Sequence, residues 1–215
     1  MIIPTIILEI LFSINLILYW TIFIKIKNLS AKIKRYYKKI FPILWIFSLF
    51  PILIINSSLL QFIFNENISY FQEIWIWFLI LGITFIIIGI RIASMAMKRY
   101  KVKVIDVKES KLIKTGIYSV IRHPVYLSWV LIFMGCSFAF DSFFAILFIP
   151  ILTVLLEVHC ILEEKYILIP NFGEEYLRYK QKVPFRLFSP PYSYLLIIIS
   201  LIVIYIGLLN FVLGN

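Results

Sequence analysis

Long apolar runs alternate with short charged segments along the whole chain. Pro4 to Ile24, roughly Phe41 to Phe64, Ile74 to about Met97, Pro124 to Phe140, Phe143 to Leu162 and Tyr192 to Leu213 are apolar over most of their length. A helix needs roughly 20 apolar residues to cross ~30 Å of hydrocarbon. The pattern therefore predicts an all-α, polytopic integral membrane protein with about six transmembrane helices, as one domain covering 1–215. The first run is too long for a signal-peptide core and lacks a small-residue cleavage site, so it reads as a retained span. Pro42 and Pro51 predict an irregular second helix. Trp75 and Trp77 open the third at interface depth. The fourth and fifth runs predict a short-armed helical hairpin turning at Asp141-Ser142.

Composition sharpens this picture. The chain is 62% hydrophobic and 18% aromatic, with a mean hydropathy of +0.99, well outside the soluble range. A net charge of +10 raises the question of nucleic acid. The basic residues form no soluble face with interleaved aromatics, which argues against nucleic acid and for membrane lipids. Every Lys and Arg except Arg91 falls after the first, third or fifth run. Those loops share one side, the cytoplasmic one by the positive-inside rule, and both termini lie on the other. Asn65 to Glu73, with two glutamates and no cation, belongs outside. Cys136 and Cys160 have no CxxC or zinc spacing, and with two histidines no metal site is expected.

Polar chemistry collects at the cytoplasmic ends of the third to fifth runs. Gly116-Ile-Tyr-Ser-Val-Ile-Arg-His-Pro-Val-Tyr126 is a polar island between apolar segments. Pro124 suits the first turn of a helix, so Arg122 and His123 sit at its mouth. There they either hold an anionic guest together with open backbone N–H groups or act as a plain positive-inside anchor. Glu157, His159, Glu163 and Glu164 close the fifth run, and His159 and Glu163, four apart, share a helix face. Ionisable groups at that depth point to function, with a solvated helix end as the alternative. Arg91 either snorkels to the headgroups or faces inward. Val102, Val104, Ile105 and Val107 alternate loosely with charges and suggest a short extended or interfacial piece. Lys165 to Pro191 is amphipathic and should lie on the cytoplasmic surface, closing over a pocket. There is no Walker loop, GxGxxG, GxSxG or HExxH.

The ordered set Gly116-Ile-Tyr118, Arg122-His-Pro-Val-Tyr126, Glu163-Glu-Lys-Tyr, Phe172-Gly-Glu-Glu-Tyr176 and Tyr179-Lys-Gln-Lys-Val-Pro184 resembles the isoprenylcysteine carboxyl methyltransferase family and its phospholipid methyltransferase relatives. The motif-bearing catalytic part is 103–190. The resemblance implies an integral-membrane methyltransferase that uses S-adenosyl-L-methionine on a lipid-like or prenylated acceptor, with its active site on the cytoplasmic side. It further implies that Ser110, Lys111, Leu112, Ile113 and Tyr118 line the adenosine end, and that His123, Pro124, Val125 and Tyr126 wrap the cofactor. Glu163 or Glu164 holds the amino-acid portion, and Glu163, with His159 one turn earlier on the acceptor side, is the preferred register. Arg122, His159 and Glu163 are the candidate catalytic residues. Two positions depart from the family pattern. Ser128 stands where a glycine is usual, and Lys165 to Asn171 is one residue longer than usual and contains Pro170.

Methyl transfer from a sulfonium is an in-line displacement, so alignment and exclusion of water should do most of the work. A carboxylate acceptor needs an orienting cation, for which His159, Arg91 and Arg122 are candidates; an amine or thiol needs a proton removed. The same motifs leave open a phospholipid or amine N-methyltransferase, an NADPH-dependent membrane reductase or a non-enzymatic membrane protein. The oligomeric state is not fixed by these features.

Overall fold

The computed structural model describes residues 2–25, 40, 44, 45, 47, 49, 51–54, 75–104, 112–188, 198, 201, 202 and 205. Most of the second and last expected spans, the basic loop after the first, Asn65 to Glu73, Pro190-Pro191, Ser110 and Lys111 lie outside them. Among the described residues every regular element is helical. In chain order these are α1 (Ile2–Lys25), α2 (Trp75–Val104), a 3-10 turn (Gly116–Ser119), α3 (Pro124–Ala139), α4 (Phe143–Glu163), a π turn (Glu164–Leu168), α5 (Ile169–Phe172) and α6 (Glu174–Lys182). Two stretches among them are long and apolar enough to cross a membrane, Trp75–Lys98 and Phe143–Phe172. Ile7–Thr21 and Pro124–Ala139 are apolar but shorter.

Helices α2 and α3 form the closest pair, and small residues make this possible. A Cβ added at Gly82 would stand 2.6 Å from the Gly135 carbonyl oxygen, and one at Gly135 would stand 2.6 Å from that of Gly82. Seven residues further along α2, a Cβ on Gly89 would meet the Ser128 carbonyl at 3.1 Å. Backbones approach this closely only where side chains are minimal, as is common between helices in lipid. Ser128 keeps its own hydroxyl on the Val125 carbonyl at 2.6 Å, so it fits where a glycine is usual. The other side of α2 turns outward through Trp77, Ile80, Ile83 and Ile87.

The expected hairpin is present. Asp141 takes φ 52° at the turn, a conformation aspartate tolerates better than most residues, and Ser142 N–H closes onto the Ser137 carbonyl at 2.9 Å. Helix α1 lies against α4, where Phe12 meets Phe148 edge-on at 5.8 Å.

Two boundaries differ from the sequence reading. The third span ends at Lys98, close to the expected Met97, but its helix continues past it to Val104, so Val102 and Val104 are not in an extended piece. Extending an existing helix needs no new nucleus, so a weak alternation does not stop it. The fifth helix does not give way to a surface segment at Lys165. It continues through the π turn to Phe172, and the amphipathic part begins only after Gly173, at φ 52°. The π turn accommodates one extra residue in a continuing helix, and it precedes Pro170, which has no N–H to give an α-helical ladder. Helix α6 then docks through Tyr176, Tyr179 and Val183 onto Leu112, Leu168, Ile169 and Phe172.

Candidate active site

The site is assembled where the start of α3, the end of α4 and the segment after α6 meet. Arg122 N–H donates to the Phe185 carbonyl and His123 N–H to that of Arg186, both at 3.0 Å. This pairing satisfies donors that the start of α3 leaves open and straps residues 185–186 across the helix mouth.

Side chains complete the knot around Glu164. Arg122 Nε donates to Glu164 Oε1 at 2.8 Å, and its Nη1 donates to the Val183 carbonyl. His123 Nε2 lies 3.2 Å from the same carboxylate, Arg186 Nε 3.4 Å and Lys180 Nζ 3.5 Å. The Glu164 side chain is only 3% exposed. A buried carboxylate is tolerable only when paired this fully. Glu163 is placed differently: His123 Nδ1 stands 3.5 Å from its Oε2, and its side chain is 24% exposed. The His123 imidazole thus bridges the two acids. Burial alone would lower its pKa, but interactions with Cys160, Glu163 and Glu164 outweigh burial and raise it well above the ordinary 6.5.

One turn before Glu163, His159 is buried and its Nε2 lies 3.0 Å from the Tyr126 hydroxyl. Tyr126 also lies within interaction range of Glu163. Aromatic rings surround the imidazole: Tyr19 stacks on it at 5.6 Å, and Trp45 and Tyr126 meet it edge-on at 5.2 and 5.0 Å.

Of the sequence-derived candidates, Arg122, His123, Tyr126, His159, Glu163 and Glu164 come together. Pro124 is buried as the first residue of α3, and Val125 is half-buried beside it. Leu112 packs on the α6 cluster, Ile113 is half-buried, and the Tyr118 carbonyl accepts the Tyr179 hydroxyl at 2.7 Å. Arg91 is exposed on α2. A cavity of about 600 Å³ opens beside this stretch, walled by Lys114, Ser119, Arg178, Tyr179, Lys182 and Val183. None of Arg122, His123, Glu163 or Glu164 lines it, but it borders the knot through Val183.

The sequence reading did not single out Arg186, Lys180, Tyr19 or Trp45 for the site. Arg186 bridges Glu164 and Glu157, donating to Glu157 Oε1 at 2.7 Å. Its signal was charge balance, since three carboxylates at one helix end exceed Arg122 and His123 and require cations from elsewhere. In a chain that is 18% aromatic, nothing local marks Tyr19 or Trp45.

Residues 77–175 match the family described as Phospholipid methyltransferase. The matched segment, a little under half of the chain, holds Arg122, His123, His159, Glu163 and Glu164. Tyr19, Trp45, Lys180 and Arg186 lie outside it. No curated protein and no solved structure matches the chain.

Proposed function

We propose that the protein transfers a methyl group from S-adenosyl-L-methionine to an amine carried by a lipid headgroup. The observation that carries this reading is the commitment of Arg122. Its Nε is held by Glu164 and its Nη1 by the Val183 carbonyl, so it is engaged in the fold rather than turned toward a substrate carboxylate. Arg91, the other arginine candidate, is exposed on α2. An amine acceptor needs no orienting cation; it needs a group to take a proton, and His159 Nε2 with the Tyr126 hydroxyl supplies one. The family description points the same way.

The residues present suit the methyl donor. Its ammonium group calls for an accessible carboxylate, and Glu163 has the more open side chain of the two acids. Glu164 then acts by holding Arg122 and His123 in place. Leu112, Ile113 and Tyr118 offer half-buried apolar surface for an adenine ring, beside the cavity at Lys114 and Ser119. When bound, the donor supplies an electrophilic methyl on a sulfonium. The chain contributes alignment, a dry surround and a proton acceptor.

A second reading, a carboxyl O-methyltransferase acting on an isoprenylcysteine, is favoured by the motif set from Gly116 to Pro184. It requires a cation at the acceptor, which Arg122 does not offer while Glu164 and the Val183 carbonyl hold it. In both readings the chain is multi-pass with the site on the cytoplasmic side, as the Lys and Arg distribution supports. Cysteine labelling from outside intact cells should reach positions 67 and 215 but not 34, 108 or 180, and labelling at 34 or 180 overturns this topology. For the activity, equilibrium binding to the purified protein should detect S-adenosylmethionine and its demethylated product but not NADPH; NADPH binding alone would replace the methyltransferase reading with a reductase.

A further inference from the structure

We propose that Tyr19 and Trp45, outside the segment that matches the family, are positioning residues that fix His159 on the acceptor side of the site. The inference deepens the function proposed above and rests on it for the word acceptor, but its structural core is independent. Tyr19 lies on the face of α1 that already packs on the bundle: Phe12 and Leu16, seven and three residues earlier, are fully buried. That face brings the Tyr19 ring over the His159 imidazole at 5.6 Å with planes 26° apart. Trp45, itself only 4% exposed, stands at right angles to the imidazole at 5.2 Å and against Tyr19 at 5.0 Å. Trp129 of α3 backs Trp45 at 6.3 Å.

The χ2 torsion of histidine is intrinsically broad, so the hydrogen bond between Nε2 and the Tyr126 hydroxyl does not by itself fix the ring. A stacked ring on one face and perpendicular rings at two edges do, because turning the imidazole would drive it into Tyr19 or Trp45. His159 is thereby held with Nε2 on the Tyr126 hydroxyl. The N-terminal part of the chain is thus part of the site, through rings that pack on His159 and on each other. Tyr19 can be changed without detaching α1, since Phe12 on Phe148 holds that helix separately.

The chain has only two histidines, so imidazole nuclear magnetic resonance of the full-length, histidine-labelled protein in detergent reads His159 directly, with His123 as internal control. Tyr19→Leu should shift and broaden the His159 signals and leave those of His123 in place. Tyr19→Phe, which keeps the stacked ring, should restore them. With S-adenosylmethionine and vesicles of phosphatidylethanolamine, Tyr19→Leu should lower kcat about 10- to 100-fold, the scale of a small misplacement at a reacting centre. Affinity for the demethylated product should not change. Trp45→Phe, a smaller ring at the same wall, should act in the same direction and carries the test if Tyr19→Leu does not fold. Unmoved His159 signals in folded Tyr19→Leu or Trp45→Phe overturn the proposal, as does a loss of cofactor affinity equal to the loss of turnover. A wild-type protein that neither binds the donor nor transfers methyl instead overturns the function proposed above, while the resonance arm still reports on the walls.

Discussion

Glu163 and Glu164 are adjacent in the chain but differ in setting: Glu164 takes Arg122 Nε at 2.8 Å and is 3% exposed, whereas Glu163 meets His123 Nδ1 at 3.5 Å and is 24% exposed. Successive helical residues point ~100° apart, so one acid turns into the knot and its neighbour turns to the open side. Replacing Glu164 by Gln leaves Arg122 buried with its ion pair broken. Losing one partner of a buried pair costs about 3–5 kcal/mol. We expect Glu164→Gln to lower the thermal unfolding midpoint in detergent markedly. Glu163→Gln should keep the midpoint and lose S-adenosylmethionine binding by calorimetry. The reverse pattern exchanges the two roles.

The bridging imidazole makes stability depend on pH. The folded-state pKa of His123 lies well above the ordinary 6.5, so protonation favours the folded state. That contribution is fully present below 6.5 and is lost as pH rises through the raised folded value. The unfolding midpoint should therefore fall on the alkaline side of neutrality, and His123→Gln should flatten that limb. An alkaline slope that is the same in His123→Gln would assign it to another group.

Among the described residues, most of the helical frame is legible in the sequence because apolar length reports helices directly: the hairpin with its turn at Asp141-Ser142 follows from two runs and a polar pair. The motif residues also identify the polar knot, since buried charges draw attention wherever they occur. Three features are not legible. The π turn at Glu164–Leu168 shows in the sequence only as one extra residue and Pro170, which are equally compatible with a loop. The helical course of Val102 and Val104 depends on continuation from α2, not on local pattern. The aromatic walls at Tyr19 and Trp45 depend on tertiary contacts across long sequence separations, where one aromatic residue in a greasy helix looks like any other.

The contact between α2 and α3 should not tolerate added volume. At Gly82 the atoms a methyl group would meet are the Gly135 oxygen at 2.6 Å and the Ala139 nitrogen at 2.8 Å, both backbone. Backbone cannot move aside as a flexible side chain can. Gly82→Ala should destabilise by about 1–3 kcal/mol, and Gly82→Val by more. Gly173→Ala, where open space surrounds the new Cβ but φ is 52°, should act through backbone strain alone. Thermal unfolding of the three variants in one detergent provides the comparison, and an unchanged midpoint for Gly82→Val contradicts the packing.

Arg186 ties the strap after α6 to α4 through Glu157 and to the π turn through Glu164. Arg186→Gln removes both ties while leaving the backbone pairing at Phe185 and Arg186 in place. Limited digestion with trypsin should then cut sooner after Arg178, Lys180 or Lys182 than in the wild type. Equal rates of cleavage would mean that the backbone pairing alone holds the strap.

The most direct measurement follows label from S-adenosylmethionine carrying a tritiated methyl group, using the purified full-length protein and two kinds of vesicle. One holds phosphatidylethanolamine; the other holds phosphatidylcholine with a farnesylated cysteine analogue as the only methyl acceptor. Label is expected in base-stable N-methylated lipid from the first, abolished by Glu163→Gln and strongly reduced by His159→Ala. Base-labile label in the farnesylated cysteine analogue alone would contradict the amine acceptor, and no transfer to either by a protein that binds the donor would contradict the assignment of a lipid-borne acceptor.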